Sequence, residues 1–240
     1  MPAFNRSSAP DPDGVLLVDK PAGMTSSDVV CAVRAMFRLK KVGHGGTLDP
    51  DETGLLPLLV GRGTRLSQAV MGGDKVYEGT LRLGAATNTQ DAAGEVVSRG
   101  DPSGVSEAAL REVFDREFTG DVFQTPPMVS AIKKDGVPLY KMARKGEEVE
   151  REPRLVHVWW IRIDEFGLPD TRFTVKCSKG FYVRTLCHDV GARLGCGGHL
   201  AALRRIHTGA FDVADAIPFA DLKTLPRSEF ASKLIPLSRI

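Results

Sequence analysis

The residues best suited to chemistry lie in one stretch, KVGHGGTLDPDETGLLPLLVGRGT, at positions 41–64. It carries one histidine, His44, and three acids, Asp49, Asp51 and Glu52, beside an apolar run. Its density of glycine and proline indicates a loop. Such a loop could serve as a calcium site, a phosphate-binding loop, part of a metal-dependent hydrolase, or the holder of a single positioned carboxylate.

The first three possibilities fit the pattern poorly. Asp49, Asp51 and Thr53-Gly54 match the first half of an EF-hand loop, but Val60 stands where a bidentate glutamate is required. No G-x-x-x-x-G-K-[ST] phosphate loop is present. His44 belongs to no H-E-x-x-H motif, and the other histidines show no ligand spacing. Metal-dependent hydrolysis and a purely structural turn capped by Asp49 remain open alternatives.

The fourth possibility rests on Asp49 and the residue that follows it. Asp49-Pro50 is a turn dipeptide that proline stiffens, and the neighbouring glycines let another backbone approach closely. The apolar run at 55–60 anchors the loop in the core. An aspartate held rigidly beside an apolar wall can act as a nucleophile or base. It needs a nearby cation to stay ionised once water is expelled.

The elements that must position this loop follow from local patterns. Strands are predicted at GVLLVDK, at KVYEGTLRLG, and at VHVWWIRIDEF and TRFTVKCS, which a GLPD turn joins into a hairpin. Helices are predicted at SDVVCAVRAMFRL, capped by Ser26 or Ser27, at SEAALREVFDREF, capped by Ser106, and at YVRTLCHDVGARLG and HLAALRRIHTG. AFDVADAI predicts a further strand. Hairpins with scattered helices favour an α+β fold with a mixed, mainly antiparallel sheet.

Composition narrows the class of protein. The 240 residues are 42 % hydrophobic and 26 % charged, which is ordinary for a globular protein. No apolar run reaches the roughly 18 residues of a membrane helix, and no secretory signal core is present, so we expect a cytoplasmic protein. The four cysteines form no C-x-x-C pair, and a reduced chain without zinc is expected. Residues 1–13 are expected to form a flexible tail.

The net charge is only +2, so binding to nucleic acid would require basic residues gathered on one face. The segment at about 124–154 shows such gathering and lacks clear periodicity, which suggests a functional excursion from the core. Between Val129 and Lys145 it carries the cations Lys133, Lys134, Lys141, Arg144 and Lys145.

Several of these motifs together resemble one family. The stretch at 41–64 is similar to the signature of the TruB family, the tRNA pseudouridine synthases that modify the uridine at position 55 of the T loop. LLVDKPAGMTSSDVV, YEGTLRLGAATNTQDAAGE, QTPPMVSAIKKDGVPLYKMARKGEEVERE, CSKGFYVRTLCHDVG and GHLAALRRIHTGAF resemble its other motifs, in the same order. The resemblance runs from about Gly14 to Phe211. It implies a pseudouridine-synthase fold with flanking helices and a central RNA-binding cleft.

The resemblance also implies a mechanism. Uridine is isomerised to pseudouridine by flipping the base out of the T stem-loop of tRNA, without metal or cofactor. Asp49 is the implied essential carboxylate, and Arg184 is the arginine that pairs with it. Tyr77 stacks on the target uracil, and His44 takes the vacated stacking space. Tyr182 and Leu203 line the base pocket, and the cations at 133–145 grip the RNA backbone.

The domain organisation expected from the resemblance is a single catalytic domain at 14–240 that carries the RNA-gripping insertion. We expect no complete C-terminal PUA domain after Phe211, and we expect a monomer. The chain departs from the family where Asp51 and Glu52 replace residues that are usually uncharged. A non-catalytic RNA-binding module and a synthase for a different uridine remain as alternatives. Retention of both Asp49 and Arg184 argues against the first.

Overall fold

The computed structural model describes residues 12–240 except 131, 135, 140, 141, 143–146 and 148. The predicted tail at 1–13 therefore lies almost wholly outside the described residues. The strands are β1 Gly14–Lys20, β2 Val42–His44, β3 Thr53–Val60, β4 Lys75–Leu83, β5 Ala85–Thr87, β6 Val96–Arg99, β7 Gly120–Gln124, β8 Lys133–Lys134, β9 Val137–Pro138, β10 Arg154–Glu165, β11 Asp170–Cys177, β12 Gly198–Thr208, β13 Phe211–Asp212 and β14 Ile217–Pro218.

Helices are interspersed between these strands. The α-helices are α1 Ser26–Met36, α2 Ser67–Gly72, α3 Glu107–Glu117, α4 Val183–Arg193 and α5 Phe219–Leu222. Short 3₁₀ helices span Gly61–Leu66, Val213–Asp215, Arg227–Lys233 and Leu237–Arg239. Within the described part of the chain, no helix is long and apolar enough to cross a membrane.

The chain gathers into two compact units. The first runs up to Gly72 and resumes at Thr208–Ile240, and the second is Gly73–His207. The expectation of one catalytic domain beginning at residue 14 stays a prediction.

The first unit is built on β1, whose apolar residues are fully buried. Strand β1 pairs antiparallel with β3 along its whole length, from Gly14 opposite Val60 to Lys20 opposite Gly54. Strand β2 pairs antiparallel with the end of β3, and β14 runs parallel to β1. The apolar run at 55–60, predicted as the anchor of a loop, is thus the body of a strand.

Helix α1 begins one residue earlier than its pattern predicts. Its N-cap is Thr25, whose hydroxyl accepts from the amide of Asp28, and the Asp28 carboxylate accepts from the amide of Thr25. This capping box satisfies two amides that the first turn leaves without helical partners. The prediction of Ser26 or Ser27 as the cap was wrong, because the Ser26 hydroxyl is engaged elsewhere in the first unit.

The second unit contains an antiparallel array in the order β4-β11-β10-β7, with β12 on the far side of β4. The predicted hairpin is confirmed as β10 and β11, which pair antiparallel. Helices α3 and α4 cover one face of the array, where Phe114 and Leu186 pack with Leu81, Phe173 and Val175. Ser106 caps α3 as predicted, because its hydroxyl accepts from the amide of Ala109. The mixed, mostly antiparallel pairing with flanking helices confirms the predicted fold class.

Two local predictions were wrong. HLAALRRIHTG forms strand β12 rather than a helix, because its backbone hydrogen-bonds along β4 and this tertiary pairing overrides its helical spacing. AFDVADAI is a strand only at Phe211–Asp212 and Ile217–Pro218, with a 3₁₀ turn between them. The Asp212 side chain accepts from the amide of Ala214 and so begins that turn.

Candidate active site

Asp49 is the first residue of a turn, and hydrogen bonds between Asp49 and Glu52 close that turn. The amide of Glu52 donates to the Asp49 carbonyl at 3.1 Å, and the Asp49 amide donates to the Glu52 carboxylate at 2.8 Å. Asp49 is half-buried, whereas Asp51 is exposed. The two unusual acids therefore differ in role, since Glu52 fixes the turn and Asp51 faces solvent.

A buried lysine, Lys20, hydrogen-bonds to the backbone of this turn. The Lys20 side chain is fully buried, and its ammonium donates to the carbonyls of Pro21 at 2.9 Å, Met24 at 2.6 Å and Pro50 at 3.1 Å. The amide of Gly23 also donates to the Pro50 carbonyl, at 2.9 Å. Charge-assisted hydrogen bonds of this kind offset much of the cost of burying an ammonium. The carbonyl of Pro50, the residue after Asp49, is thus held by two donors, one from the last residue of β1 and one from the turn that follows β1.

The residue before Asp49 is held as firmly. Leu48 is buried, its amide donates to the Ser26 hydroxyl at 2.8 Å, and that hydroxyl donates to the Leu48 carbonyl at 3.0 Å. The first residue of α1 therefore clamps both backbone groups of Leu48. Sequence reasoning took Ser26 only as a helix cap and did not select Lys20, although a lysine at the end of an apolar strand, before a proline, was a visible signal.

His44 lies at the opposite end of the same loop. It is the last residue of β2, opposite Leu58, and it is half-buried. The next residue, Gly45, donates its amide to the Pro57 carbonyl at 2.8 Å, and a Cβ at this glycine would collide with the side chain of Val70. The first unit thus carries the two predicted residues His44 and Asp49 at the two ends of one tightly packed loop.

Arg184 is buried at the start of α4 in the second unit. Its guanidinium donates to the Val129 carbonyl at 2.8 Å and lies 3.3 Å from the Asp91 carboxylate. A second Asp91 oxygen accepts from the Thr89 hydroxyl at 2.6 Å. Sequence reasoning missed Asp91, a half-buried anion that pairs with the guanidinium. The pairing of Arg184 with Asp49, implied by the family resemblance, stays a prediction.

Tyr77 and Leu203 adjoin one apolar cluster of the second unit. Leu203 is buried within it, and Tyr77 packs against it half-buried. Lys75 lies two residues before Tyr77 on β4 and is buried. Its ammonium donates to the Gly73 carbonyl at 2.6 Å. Burial, reinforced by the charge of Arg205, lowers the pKa of Lys75 to about 8. Like Lys20, this buried lysine was not selected from the sequence, although it lies two residues before the proposed uracil-stacking residue.

Tyr182 is the N-cap residue of α4, but its side chain makes no capping hydrogen bond to the first turn of the helix. Its amide donates to the Gln124 side chain at 2.9 Å, and the amide nitrogen of that side chain donates back to the Tyr182 carbonyl at 3.2 Å. Gln124 is buried and is the last residue of β7.

The predicted RNA-gripping cations are only partly described. Lys133 and Lys134 form β8, which pairs with β9 as a small hairpin. Lys141, Arg144 and Lys145 lie outside the described residues. The register of β7 with β10 sets Gln124 opposite Arg154, so the two ends of the predicted insertion are neighbours.

Among the described residues, no group of three His, Cys, Asp or Glu side chains is placed to hold a metal ion.

Comparison with known proteins shows to which class of enzyme the chain belongs. Two family models match consecutive parts of the chain. The TruB family pseudouridylate synthase (N terminal domain) matches residues 34–183, and the tRNA pseudouridylate synthase B C-terminal domain matches residues 184–237. Together they cover most of the chain and make it a pseudouridylate synthase.

Whole-chain relatives agree. The chain is 53 % identical to the tRNA pseudouridine synthase B of Opitutus terrae, over 94 % of this chain and 93 % of that protein. It is 52 % identical to that of Geobacter sulfurreducens, over 89 % of this chain and 70 % of that protein. It also superimposes on a chain of a Cbf5-Nop10-Gar1 complex with a TM-score of 0.72 and 30 % identity, over 93 % of this chain and 60 % of that one. The chain therefore belongs to the TruB family and isomerises uridine to pseudouridine in tRNA, as its motifs predicted.

Proposed function

We propose that the chain isomerises the uridine at position 55 in the T loop of tRNA, as a cytoplasmic monomer, with Asp49 as the essential carboxylate. The observation that carries the proposal is the turn at Asp49–Glu52, whose backbone is bonded on both sides of the reacting residue. A preorganised carboxylate avoids the entropic cost of orienting the catalyst during the reaction. The proposal needs neither a metal nor an organic cofactor.

The target uridine is stacked in the T loop and must be extruded before its glycosidic bond can react. Unstacking costs a few kcal/mol, which contacts to the flipped base and the loop must offset. Tyr77 stacks on the uracil, and Tyr182 and Leu203 line its pocket. His44 fills the space that the base leaves. Arg184 is proposed to supply the cation that pairs with the Asp49 carboxylate during the reaction.

We expect one pseudouridine in an unmodified tRNA transcript incubated with the protein, and we expect it at position 55. The measurement is mapping of pseudouridine along the transcript, with a transcript that carries cytidine at position 55 as the control. Modification at another uridine would contradict the proposed target. RNA binding without any modification would favour the non-catalytic module instead.

The basic insertion is proposed to grip the RNA backbone. Replacing Lys133, Lys134 and Lys141 with alanine is expected to weaken RNA binding and to reduce the slope of log K against log salt, by about 0.7–0.9 for each phosphate that the protein no longer neutralises. Binding titrations at several salt concentrations measure the slope. Alanine at the exposed Lys223 and Lys233 is the control, and equal slopes for both variants would make the insertion ordinary solvated surface.

A further inference from the structure

We propose that Gln124 is a positioning residue that sets the geometry of the base pocket from the root of the RNA-gripping insertion. This inference rests on the proposed function, which places Tyr182 and Arg184 in that pocket. It concerns a residue outside the acid, arginine and aromatic residues already assigned. Its basis is the pair of hydrogen bonds between the Gln124 side chain and the Tyr182 backbone.

The chemistry of glutamine suits this contact. A side-chain amide offers one acceptor and two donors, so it can satisfy the N–H and the C=O of one residue as a neighbouring strand would. Gln124 does this for Tyr182 at 2.9 Å and 3.2 Å. Since Gln124 is only 3 % exposed, water cannot easily replace either bond.

The peptide it holds is the one from which α4 starts. Tyr182 has an extended backbone, and its carbonyl also accepts from the amide of Leu186 in the first turn of the helix. Arg184 is the second residue of that turn. The orientation of the Tyr182 peptide therefore sets the direction in which α4 leaves and the place from which the guanidinium extends.

The other end of the contact is the root of the insertion. Gln124 ends β7 opposite Arg154, the first residue of β10, so the insertion leaves and rejoins the sheet at this pair. The Arg151 guanidinium donates to the Pro126 carbonyl at 3.0 Å and ties the two arms together just beyond it. Farther along the first arm, the Val129 carbonyl accepts from Arg184 at 2.8 Å. The insertion thus meets the start of α4 at two points, Gln124 with Tyr182 and Val129 with Arg184.

If Gln124 positions the pocket, its loss should affect the rate of the chemical step and the affinity for RNA to different degrees. Loss of the Gln124 amide leaves the apolar packing of the second unit in place but frees the Tyr182 peptide and the first turn of α4. A displacement of reacting groups of about 1 Å can slow a reaction by about 100-fold. We therefore expect Gln124→Met, which keeps the side-chain length and removes both hydrogen bonds, to slow the chemical step more than it weakens RNA binding.

The test is single-turnover pseudouridine formation at saturating protein, together with RNA-binding titration and thermal unfolding. The matched control is Thr171→Val, which removes the buried hydroxyl that donates to the Gly167 carbonyl at 2.7 Å, at the turn between β10 and β11. We expect Gln124→Met to lower the rate about 10- to 100-fold with binding changed less than about threefold. Thr171→Val is expected to lower the melting temperature while keeping the wild-type rate.

Equal single-turnover rates for the two variants would overturn the positioning role. If Gln124→Met does not fold, Gln124→Glu takes its place, because its carboxylate can accept from the Tyr182 amide but, when ionised, cannot donate to the Tyr182 carbonyl. A wild-type rate in that variant would also overturn the role. Failure of the proposed function is distinguished by the wild-type protein, which would then leave uridine 55 unmodified in the same assay.

Discussion

Replacing Asp49 with alanine is expected to abolish pseudouridine formation while leaving RNA binding intact or slightly tighter. The carboxylate is the group proposed to react, and no other side chain of the turn can take its place, because Asp51 is exposed and Glu52 is bonded to the Asp49 amide. The negative charge at Asp49 also opposes a polyanion, so its removal favours binding. The measurements are single-turnover pseudouridine formation and RNA-binding titration on the same preparation.

The folded turn should survive this change. Its closing bonds use the backbone of Asp49, the side chains of Lys20 and Ser26, and the carboxylate of Glu52, all of which the variant retains. Asp51→Ala is the matched control, since it removes one charge from the same turn without removing the proposed catalyst. Turnover of Asp49→Ala within about tenfold of wild type, roughly 1.4 kcal/mol in the barrier, would contradict the role of Asp49.

Lys20→Met is expected to destabilise the first unit by about 1–3 kcal/mol and to slow pseudouridine formation. The variant fills a similar volume but leaves the carbonyls of Pro21, Met24 and Pro50 without the buried ammonium that now bonds them. The turn that presents Asp49 loses one of the two donors on the Pro50 carbonyl and keeps the amide of Gly23. Because a loosened turn presents the carboxylate less accurately, the single-turnover rate should fall about 10- to 100-fold.

Urea unfolding and the single-turnover assay measure these two effects. The control is the same substitution at the exposed Lys233, which lies in the same unit. A Lys20→Met protein as stable and as fast as Lys233→Met would show that the buried ammonium does not support the turn. A protein that is destabilised but reacts at the wild-type rate would leave Lys20 a role in stability alone.

The chemistry of the protein was largely readable from its sequence. The motif around Asp49-Pro50, the order of the motifs that follow, and the local signals of β1, α3 and the β10–β11 hairpin depend on residues close together in the chain. Turn dipeptides, caps and alternation act over a few residues, so their physical effect survives in the sequence itself. The family assignment used the same short segments and was confirmed by whole-chain identity.

What only the tertiary structure decided is how that chemistry is held in place. Ser26 looked like a helix cap, but it bonds Leu48 across 22 residues, and Thr25 takes the cap instead. The pairs Lys20 with Pro50 and Gln124 with Tyr182 lie 30 and 58 residues apart, and β12 became a strand through its pairing with β4. Each of these outcomes depends on which buried polar group finds which partner once the chain is folded. Because an unsatisfied buried polar group costs about 1–3 kcal/mol, such long-range pairings overrule local preference.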